Sequence, residues 1–398
     1  MEAHAGRVFD AVPPEGEAGA EFGALGLTSR YQPIYSAAEH AIHGYEGLLV
    51  ALDARGRVVP PLRLFERTAA AHDRLYLDWL ARALHLRGFA RLGDDRGRLF
   101  LNVTPHAAIE DARHASVFAA LLEQYGVRPE EVVVEILESG VEEEARLADA
   151  VGLYKALGCS VALDDFGAGV SEMERIWRLQ PDIVKVDRAV LTAAARDAHA
   201  ARVLKSVVRM MHECGSRVVI EGIEDRAGAR LALETNADYL QGYHFARPSA
   251  LRADAAAVRT IFDDLAPAVD RAQPCAHSEA LQATAMALET GATFPAAVDL
   301  LLHKPSAMRG YLVSAEGQVL AASFRGEPAS TPPLAARGGR AVGWNVGRLV
   351  RCAATQRGIV LRTPPYAAFG GARPCTTYGY GFGYEGEVAV LCADISSS

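Results

Sequence analysis

The 398-residue sequence predicts an α/β fold: a (β/α)8 TIM-like barrel with one antiparallel strand, followed by linker helices and a small α/β module. Three observations predict it. Short apolar runs alternate with helix-period stretches from Tyr31 to about Pro248, which implies parallel strands with helices outside them. Eight such runs fall within roughly 220 residues, the size of one barrel. After Pro248 the alternation stops, and helices are followed by hairpin-like strands.

In chain order, residues 1–27 are rich in Gly, Ala, Pro and Glu and read as a loosely ordered leader with room for a short helix. The domain 28–250 carries the barrel. Its strands are expected near 31–36, 43–50, 98–104, 131–137, 160–166, 183–187, 217–222 and 239–245, with helices at 62–90, 115–125, 142–157, 172–179, 197–214 and 226–235. The link SAAEHA is too short for a parallel crossover, so the first two strands should pair antiparallel. Residues 251–291 read as linker helices broken near Pro267 and Pro274. Residues 292–398 read as a small α/β sensor-like module. In it, AMRGYLVSAEGQVLAASF is a strand–turn–strand with Glu316-Gly317 at the turn, and TTYGYGFGYEGEVAVLCADI gives two more strands. Tyr378, Tyr380, Phe382 and Tyr384 alternate with glycine, a pattern that either lines a ligand pocket or packs as an aromatic strand with glycine gaps.

The net charge of −8 argues against a binder of nucleic-acid polymers, which needs a basic stripe. It leaves room for an anionic small molecule, because bound metal ions reverse the local field. No stretch approaches the roughly 18 apolar residues of a spanning helix, and the N-terminus lacks a signal-peptide pattern. A cytoplasmic location with no membrane span is therefore expected. The six cysteines form no CxxC pair and read as reduced thiols. There is no GxxxxGK[ST] phosphate loop.

Polar residues interrupt or end the apolar runs in a repeated way. They are Glu46 in HGYEGLLV, Asn102 in RLFLNVT, Glu135 in EVVVEIL, Asp164 and Asp165 in SVALDDFGAG, Lys185 and Asp187 in DIVKVD, and Glu221 in RVVIEGIE. Such groups are costly to bury unless they are paired or bind a cation. In a barrel, the C-terminal strand ends converge on one face, so these residues should aim oxygen ligands at one point. Oxygen ligands without histidine favour Mg²⁺ or Mn²⁺ over Zn²⁺. By period-2 alternation Val133, Glu135 and Leu137 share a face, as do Lys185 and Asp187. The alternative is a set of internally paired core charges, with Asp187 and Glu224 as structural ion-pair partners.

The ordered motifs YQPI (31–34), YEGL (45–48), LNV (101–103), VEILES (134–139), LDDFGAG (163–169), PDIVKVD (181–187), EGIE (221–224) and QGYHFARP (241–248) resemble those of the EAL-domain cyclic di-GMP phosphodiesterases. The resemblance covers roughly residues 25–250. It implies a hydrolase that linearises cyclic di-GMP to pGpG with two Mg²⁺ or Mn²⁺ ions, acting as a homodimer. Glu46, Asn102, Glu135 and Asp164 match the ligands of the first ion, with Asp164 bridging to the second and Asp165 beside it. Lys185 matches the lysine at the attacking water or phosphate, and Asp187 its partner. Glu221 matches a general base or metal-linked carboxylate. Glu138 matches the anchor of the loop after the Asp pair. Gln241 matches a polar group near the second ion, and Gln32, Leu48 and Arg247 fall with it on the substrate side. The C-terminal module looks like a PAS- or Cache-like sensor with an unknown small-molecule or protein ligand. No GGDEF-type cyclase motif accompanies it.

The chain departs from the family pattern in three places. Glu46-Gly47-Leu48 replaces Glu-Ala-Leu. Val50 stands where an arginine meets the substrate phosphate, a contact valine cannot make. Ala168 and Val170-Ser171-Glu172-Met173 alter the loop after the Asp pair. These departures support a competing expectation, a noncatalytic cyclic di-GMP receptor.

Overall fold

Eight strands close into a ring, and seven of them run parallel. The structure is a computed structural model describing residues 7–8, 10–15, 19–60, 64, 71–93, 95–113, 115–137, 144–167, 172–250, 252–265, 269–315, 317–325, 344–367 and 374–396. Contacts divide the chain into two units, Met1–Ser36 with Ala41–Val258, and Ala37–His40 with Arg259–Ser398.

In the first unit the strands are β1 (Gly19–Phe22), β2 (Leu25–Ser36), β3 (Ala41–Leu52), β4 (Val58–Val59), β5 (Arg98–Val103), β6 (Val132–Leu137), β7 (Ser160–Phe166), β8 (Ile183–Val186), β9 (Arg217–Ile220) and β10 (Tyr239–Leu240). Strands β3, β5, β6, β7, β8, β9 and β10 pair in parallel in that order. Strand β2 pairs antiparallel with both β3 and β10 and so closes the barrel. The single antiparallel strand is where the short SAAEHA link places it. Helices α1 (Ala71–Ala90), α2 (Pro105–Arg113), α3 (Ala115–Gln124), α4 (Glu144–Ala156), α5 (Glu172–Leu179), α6 (Arg188–Arg196), α7 (Ala198–Glu213) and α8 (Arg226–Glu234) fill the connections.

One core layer inside the ring takes a residue from seven strands: Ile34, Phe100, Val133, Ala162, Ile183, Val219 and Tyr239, all buried. These are the branched and aromatic residues that pack a barrel interior. Because side chains alternate along a strand, the next inward position lies two residues further on. That position is Asn102, Glu135, Asp164, Lys185, Glu221 and Gln241 after the corresponding layer residues, and Gln32 on the reversed β2. The apolar core therefore ends in a polar layer.

Several elements differ from the sequence expectation. The stretch read as a loose leader contains β1, paired with β2 from Thr28 to Leu25. Val8 and Val12 are buried, and the Tyr125 hydroxyl donates to the Val12 carbonyl at 2.6 Å. Phe22 of β1 stacks on Tyr76 of α1, with ring centres 6.3 Å apart. The last expected strand, 239–245, is a strand only at Tyr239–Leu240, because Gly242 (φ +159°) turns the chain under the Ile223 backbone. Helices α2 and α6 were not anticipated. Each has a start signal: Thr104 Oγ1 accepts from Ala107 N before Pro105, and Asp187 caps α6. The start of the helix expected at 62–90 lies mostly outside the described residues.

Helix α9 (Ala255–Leu265) contains the boundary between the units. The second unit has β11 (Asp270–Arg271), α10 (Ala276–Glu289), α11 (Phe294–Leu302), β12 (Ala307–Ser314), β13 (Val319–Phe324), α12 (Trp344–Thr355), β14 (Val360–Arg362), β15 (Tyr366–Ala367), β16 (Pro374–Tyr384) and β17 (Glu387–Ser396). The strands form an antiparallel sheet ordered β11-β14-β16-β17-β12-β13, with β15 on β16. Helices α10 and α11 pack on one face and α12 on the other. The expected β12–β13 hairpin is present, although Glu316 of its turn lies outside the described residues. Tyr378, Tyr380 and Tyr384 pack with Phe382 against the α10–α11 core. The intervening glycines admit α12, since a Cβ on Gly381 would lie 2.0 Å from the Ala353 carbonyl oxygen. Packing with glycine gaps is thus the reading these contacts support. All six cysteines are free. Among the described residues no helix is long and apolar enough to cross a membrane.

Candidate active site

The polar layer gathers at the C-terminal ends of the parallel strands around the Lys185 ammonium. Its Nζ lies 2.6 Å from Glu135 Oε1, 2.6 Å from Glu221 Oε1, 3.1 Å from Asp164 Oδ1 and 3.7 Å from Glu46 Oε2. Glu46 is held from both sides. Asn102 Nδ2 donates to its Oε1 at 2.9 Å, and Gln241 Nε2 donates to its Oε2 at 2.7 Å. Gln32 stands opposite Glu46 in the β2–β3 register, and its amide donates to the Ala246 carbonyl at 3.4 Å.

Asp164 and Asp165 are adjacent, so a regular strand would point them to opposite faces. Asp165 instead has a left-handed backbone (φ +59°), and the β7–β8 register shifts between Leu163 and Phe166. The kink brings both carboxylates to the site, with Asp165 N–H donating to Asp164 Oδ1 at 3.0 Å. Asp164, Asp165 and Glu221 each offer a carboxylate oxygen within 4.8 Å of the others.

Burial opposes ionisation of Glu46, but Lys185 and the two amides outweigh it and hold its carboxyl below the usual range. Burial pushes Glu135 well up, and its acidic neighbours Glu46, Asp164 and Glu221 add to that against Lys185. Burial likewise carries Glu221 up to about 8, with Lys185 opposing and Asp164 and Glu46 reinforcing. Asp165 is raised by burial and then by Asp164 and Asp187. Burial works against the charged Lys185, yet Asp164, Glu135, Glu221 and Glu46 hold its amine well above the ordinary lysine range.

The residues fit a bound cation. Four carboxylates face one ammonium, and among the described residues Glu135 Oε2 and Gln241 Oε1 are buried without a hydrogen-bond partner. An all-oxygen donor set with surplus negative charge suits a hard divalent ion.

A cavity of about 220 Å³ opens beside this cluster, lined by Gln32, Glu46, Arg188, Glu221, Gly222, Glu224, Gln241, Gly242 and Tyr243. Two expected substrate-side residues are not in its lining. Leu48 is half-buried one step further along β3, and Arg247 is exposed, its guanidinium carbon 4.4 Å from the Tyr243 ring centre. Asp187 also departs from expectation. The chain leaves β8 before it and enters α6, so its Oδ1 accepts from Ala189 N at 2.8 Å as a helix cap. Glu138 and residues 168–171 of the altered loop 168–173 lie outside the described residues, and Glu172 and Met173 begin α5. Val50 is half-buried on β3 opposite Thr28 and is not in the lining. The sequence reading missed Arg188, which directly follows KVD and forms a two-pronged pair with Glu224 at 2.8 Å for each contact. It also missed Tyr243; a basic residue just past a strand end, and an aromatic after Gln-Gly, were the available signals.

The family model for the EAL domain matches residues 21–248, more than half of the chain. The chain belongs to the EAL domain family. Its EAL domain is 31% identical over 179 residues to the cyclic di-GMP phosphodiesterase RocR of Pseudomonas aeruginosa, covering 44% of this chain and 45% of RocR. Among solved structures, an EAL domain protein from Listeria monocytogenes aligns at 26% identity and a TM-score of 0.51, over 56% of this chain and 89% of that one. The Bacillus subtilis YkuI protein, solved in complex with substrate c-di-GMP and calcium, aligns at 20% identity and a TM-score of 0.52, over 94% of this chain and 96% of YkuI. The YkuI likeness is one of fold, and it extends beyond the EAL domain into the second unit. The chain spans less than half the length of RocR.

Proposed function

We propose that this EAL domain hydrolyses one phosphodiester bond of cyclic di-GMP to give linear pGpG. The observation that supports it is the convergence of Glu46, Asn102, Glu135, Asp164, Asp165, Lys185 and Glu221 in one layer beside a cavity. Glu46, Asn102, Glu135, Asp164 and Asp165 would hold two Mg²⁺ or Mn²⁺ ions. When bound, such a pair polarises the phosphoryl oxygen, acidifies water and stabilises the leaving oxygen. Glu221 takes the proton of the attacking water as the new O–P bond forms and the bond from phosphorus to the 3′ oxygen breaks. Its carboxyl rests at about 8 among buried acids, and an added cation nearby would lower it into the range of a base working at neutral pH. Lys185 supplies a compact positive charge to the phosphate. Gln32 and Gln241 line the cavity and serve as substrate contacts. Leu48 and Arg247 lie outside its lining. Asp187 serves as the cap of α6.

In this reading the barrel of 28–250 acts, α9 within the expected linker 251–291 links, and residues 292–398, with α10 packed on their sheet, regulate a cytoplasmic homodimer in response to a small-molecule or protein ligand. The observation behind the regulatory role is that the single cluster of potential metal-holding acids among the described residues lies in the barrel. Incubation with cyclic di-GMP and Mn²⁺, followed by chromatography, should yield pGpG, and EDTA should abolish it. Unchanged cyclic di-GMP in the presence of Mn²⁺ refutes hydrolysis. A second reading, a receptor that binds cyclic di-GMP without turnover, is favoured by Val50 at the position of a phosphate-binding arginine.

A further inference from the structure

Behind Glu46, on the outer face of the barrel, α1 is keyed into the antiparallel β2–β3 seam. In the β2–β3 register Tyr31 faces Gly47, Gln32 faces Glu46, and Ser29 faces Leu49. Alternation therefore sends Gln32 and Glu46 inward while Ser29, Tyr31 and Gly47 point out toward α1. His85 of α1 is buried against them. Its Nδ1 shares a 2.8 Å hydrogen bond with Ser29 Oγ, and the Tyr31 hydroxyl donates to its backbone carbonyl at 2.8 Å. The ring occupies the space a side chain at position 47 would fill. A Cβ on Gly47 would lie 2.8 Å from His85 Cγ and 3.1 Å from both its Cβ and Nδ1. The fit is reciprocal, since a Cβ on Gly88, one turn along α1, would lie 2.1 Å from the Tyr31 hydroxyl oxygen. Backbone conformation does not demand glycine at 47, which lies inside a strand and is absent from the positive-φ residues. The close approach of His85 does.

We propose that His85 is a positioning residue for Glu46, with Gly47 as the gap that receives it, so that the two together set the height at which Glu46 enters the site. This rests on reading Glu46 as a metal ligand. The seam needs such a clamp. Strand β2 alone runs against its neighbours, and Glu46 must meet Asn102 and Gln241 from two other strands at 2.9 and 2.7 Å. A shift of a few tenths of an ångström at Gly47 passes directly to the adjacent residue.

The test compares the full-length chain with Gly47→Ala, His85→Ala and the double variant. Mn²⁺ alone is titrated by electron paramagnetic resonance, and urea unfolding is followed in EDTA. Gly47→Ala should weaken Mn²⁺ binding about 10- to 100-fold, the range seen when support of a metal ligand is lost. His85→Ala should weaken it too, with the far-ultraviolet circular dichroism unchanged. The double variant should bind Mn²⁺ more tightly than Gly47→Ala, because removing the ring makes room for the methyl. If Gly47→Ala does not fold, recovery of folding in the double variant supports the pairing, and failure to recover overturns it. Wild-type Mn²⁺ affinity in Gly47→Ala, or strictly multiplicative losses in the double variant, also overturns it. Hydrolysis by the wild type with multiplicative losses refutes the role of His85 alone. The predicted Mn²⁺ pattern without hydrolysis refutes the hydrolase reading alone.

Discussion

Replacing Lys185 with methionine tests how the polar layer balances its charge. The ammonium is 1% exposed and is the one cation within 4 Å of Glu135, Glu221, Asp164 and Glu46 among the described contacts. Removing one partner from a buried ion pair costs about 3–5 kcal/mol, because the remaining charge is left uncompensated. Here the acids have a way out, since they can bind protons. Glu221 has a folded-state value near 8 against an ordinary 4.5. For a group raised on folding, the stabilisation is complete below the unfolded value and is lost as pH rises through the folded one. The ion-free protein should therefore lose stability between about pH 4.5 and 8. Without Lys185 to oppose them, Glu221 and Glu135 move higher still, which carries the loss beyond pH 8, and Glu46, no longer held low, adds its own loss within the window. In EDTA the variant should fall short of wild type by about 3–5 kcal/mol at pH 8 and by clearly less at pH 5. Mn²⁺ should restore part of the difference by supplying the missing positive charge. Urea unfolding followed by circular dichroism at both pH values, with EDTA and with Mn²⁺, measures all four quantities. A wild-type midpoint at pH 8 in EDTA would show that the carboxylates do not depend on the ammonium.

Three further outcomes are expected. Glu221→Gln keeps the shape of the side chain and removes the base, so pGpG formation should be lost while calorimetry with Ca²⁺ still shows cyclic di-GMP binding; a near-normal rate would remove Glu221 from the proton transfer. Asp187→Ala should cost about 1 kcal/mol of stability through the lost cap of α6 and change kcat little; a collapse of kcat at unchanged stability would return Asp187 to the catalytic group. Val50→Arg should tighten cyclic di-GMP binding about 10- to 100-fold, the equivalent of about 1.5–3 kcal/mol for a charge-assisted phosphate contact. Equal affinities by calorimetry would mean that position 50 does not reach the phosphate.

The barrel was readable because both its signals are periodic. Strand–helix alternation gave the parallel ring, and the short first link gave the antiparallel strand. Inward alternation also accounts for the layer, with Phe100 leading to Asn102 and Val133 to Glu135. What the sequence hid are breaks in period. Asp165 should have faced away from Asp164, and only its left-handed backbone brings it in. Asp187 kept the parity of Lys185 but not the strand. Arg188 and Tyr243 reach the cavity from segments beyond the strands, where alternation says nothing about direction. Gly47 stood out only as a departure from Glu-Ala-Leu, and its reason, the His85 ring, comes from a separate element.

The protein itself shows how it treats buried charge that needs no ion. Between α1, α2 and α4, Arg82 is fully buried with Asp78 and Asp111. Arg82 Nε donates to Asp78 Oδ1 at 2.5 Å, and Thr104 N–H donates to Asp78 Oδ2 at 3.0 Å. Trp79 Nε1 donates to Asp111 Oδ1 at 3.2 Å, while Arg82 and the Tyr154 hydroxyl both reach Asp111 Oδ2, at 2.5 and 2.6 Å. All four carboxylate oxygens have donors, as burial of a charge network requires. The barrel layer is built otherwise. Four carboxylates share one ammonium, and among the described residues Glu135 Oε2 has no donor although Glu135 is wholly buried. Had these been internally paired core charges, the Arg82 network shows the donors this fold can bring to bear. Among the described residues such donors are lacking around Glu135, in the layer that also carries the kinked Asp164–Asp165 pair, and that arrangement fits a bound cation.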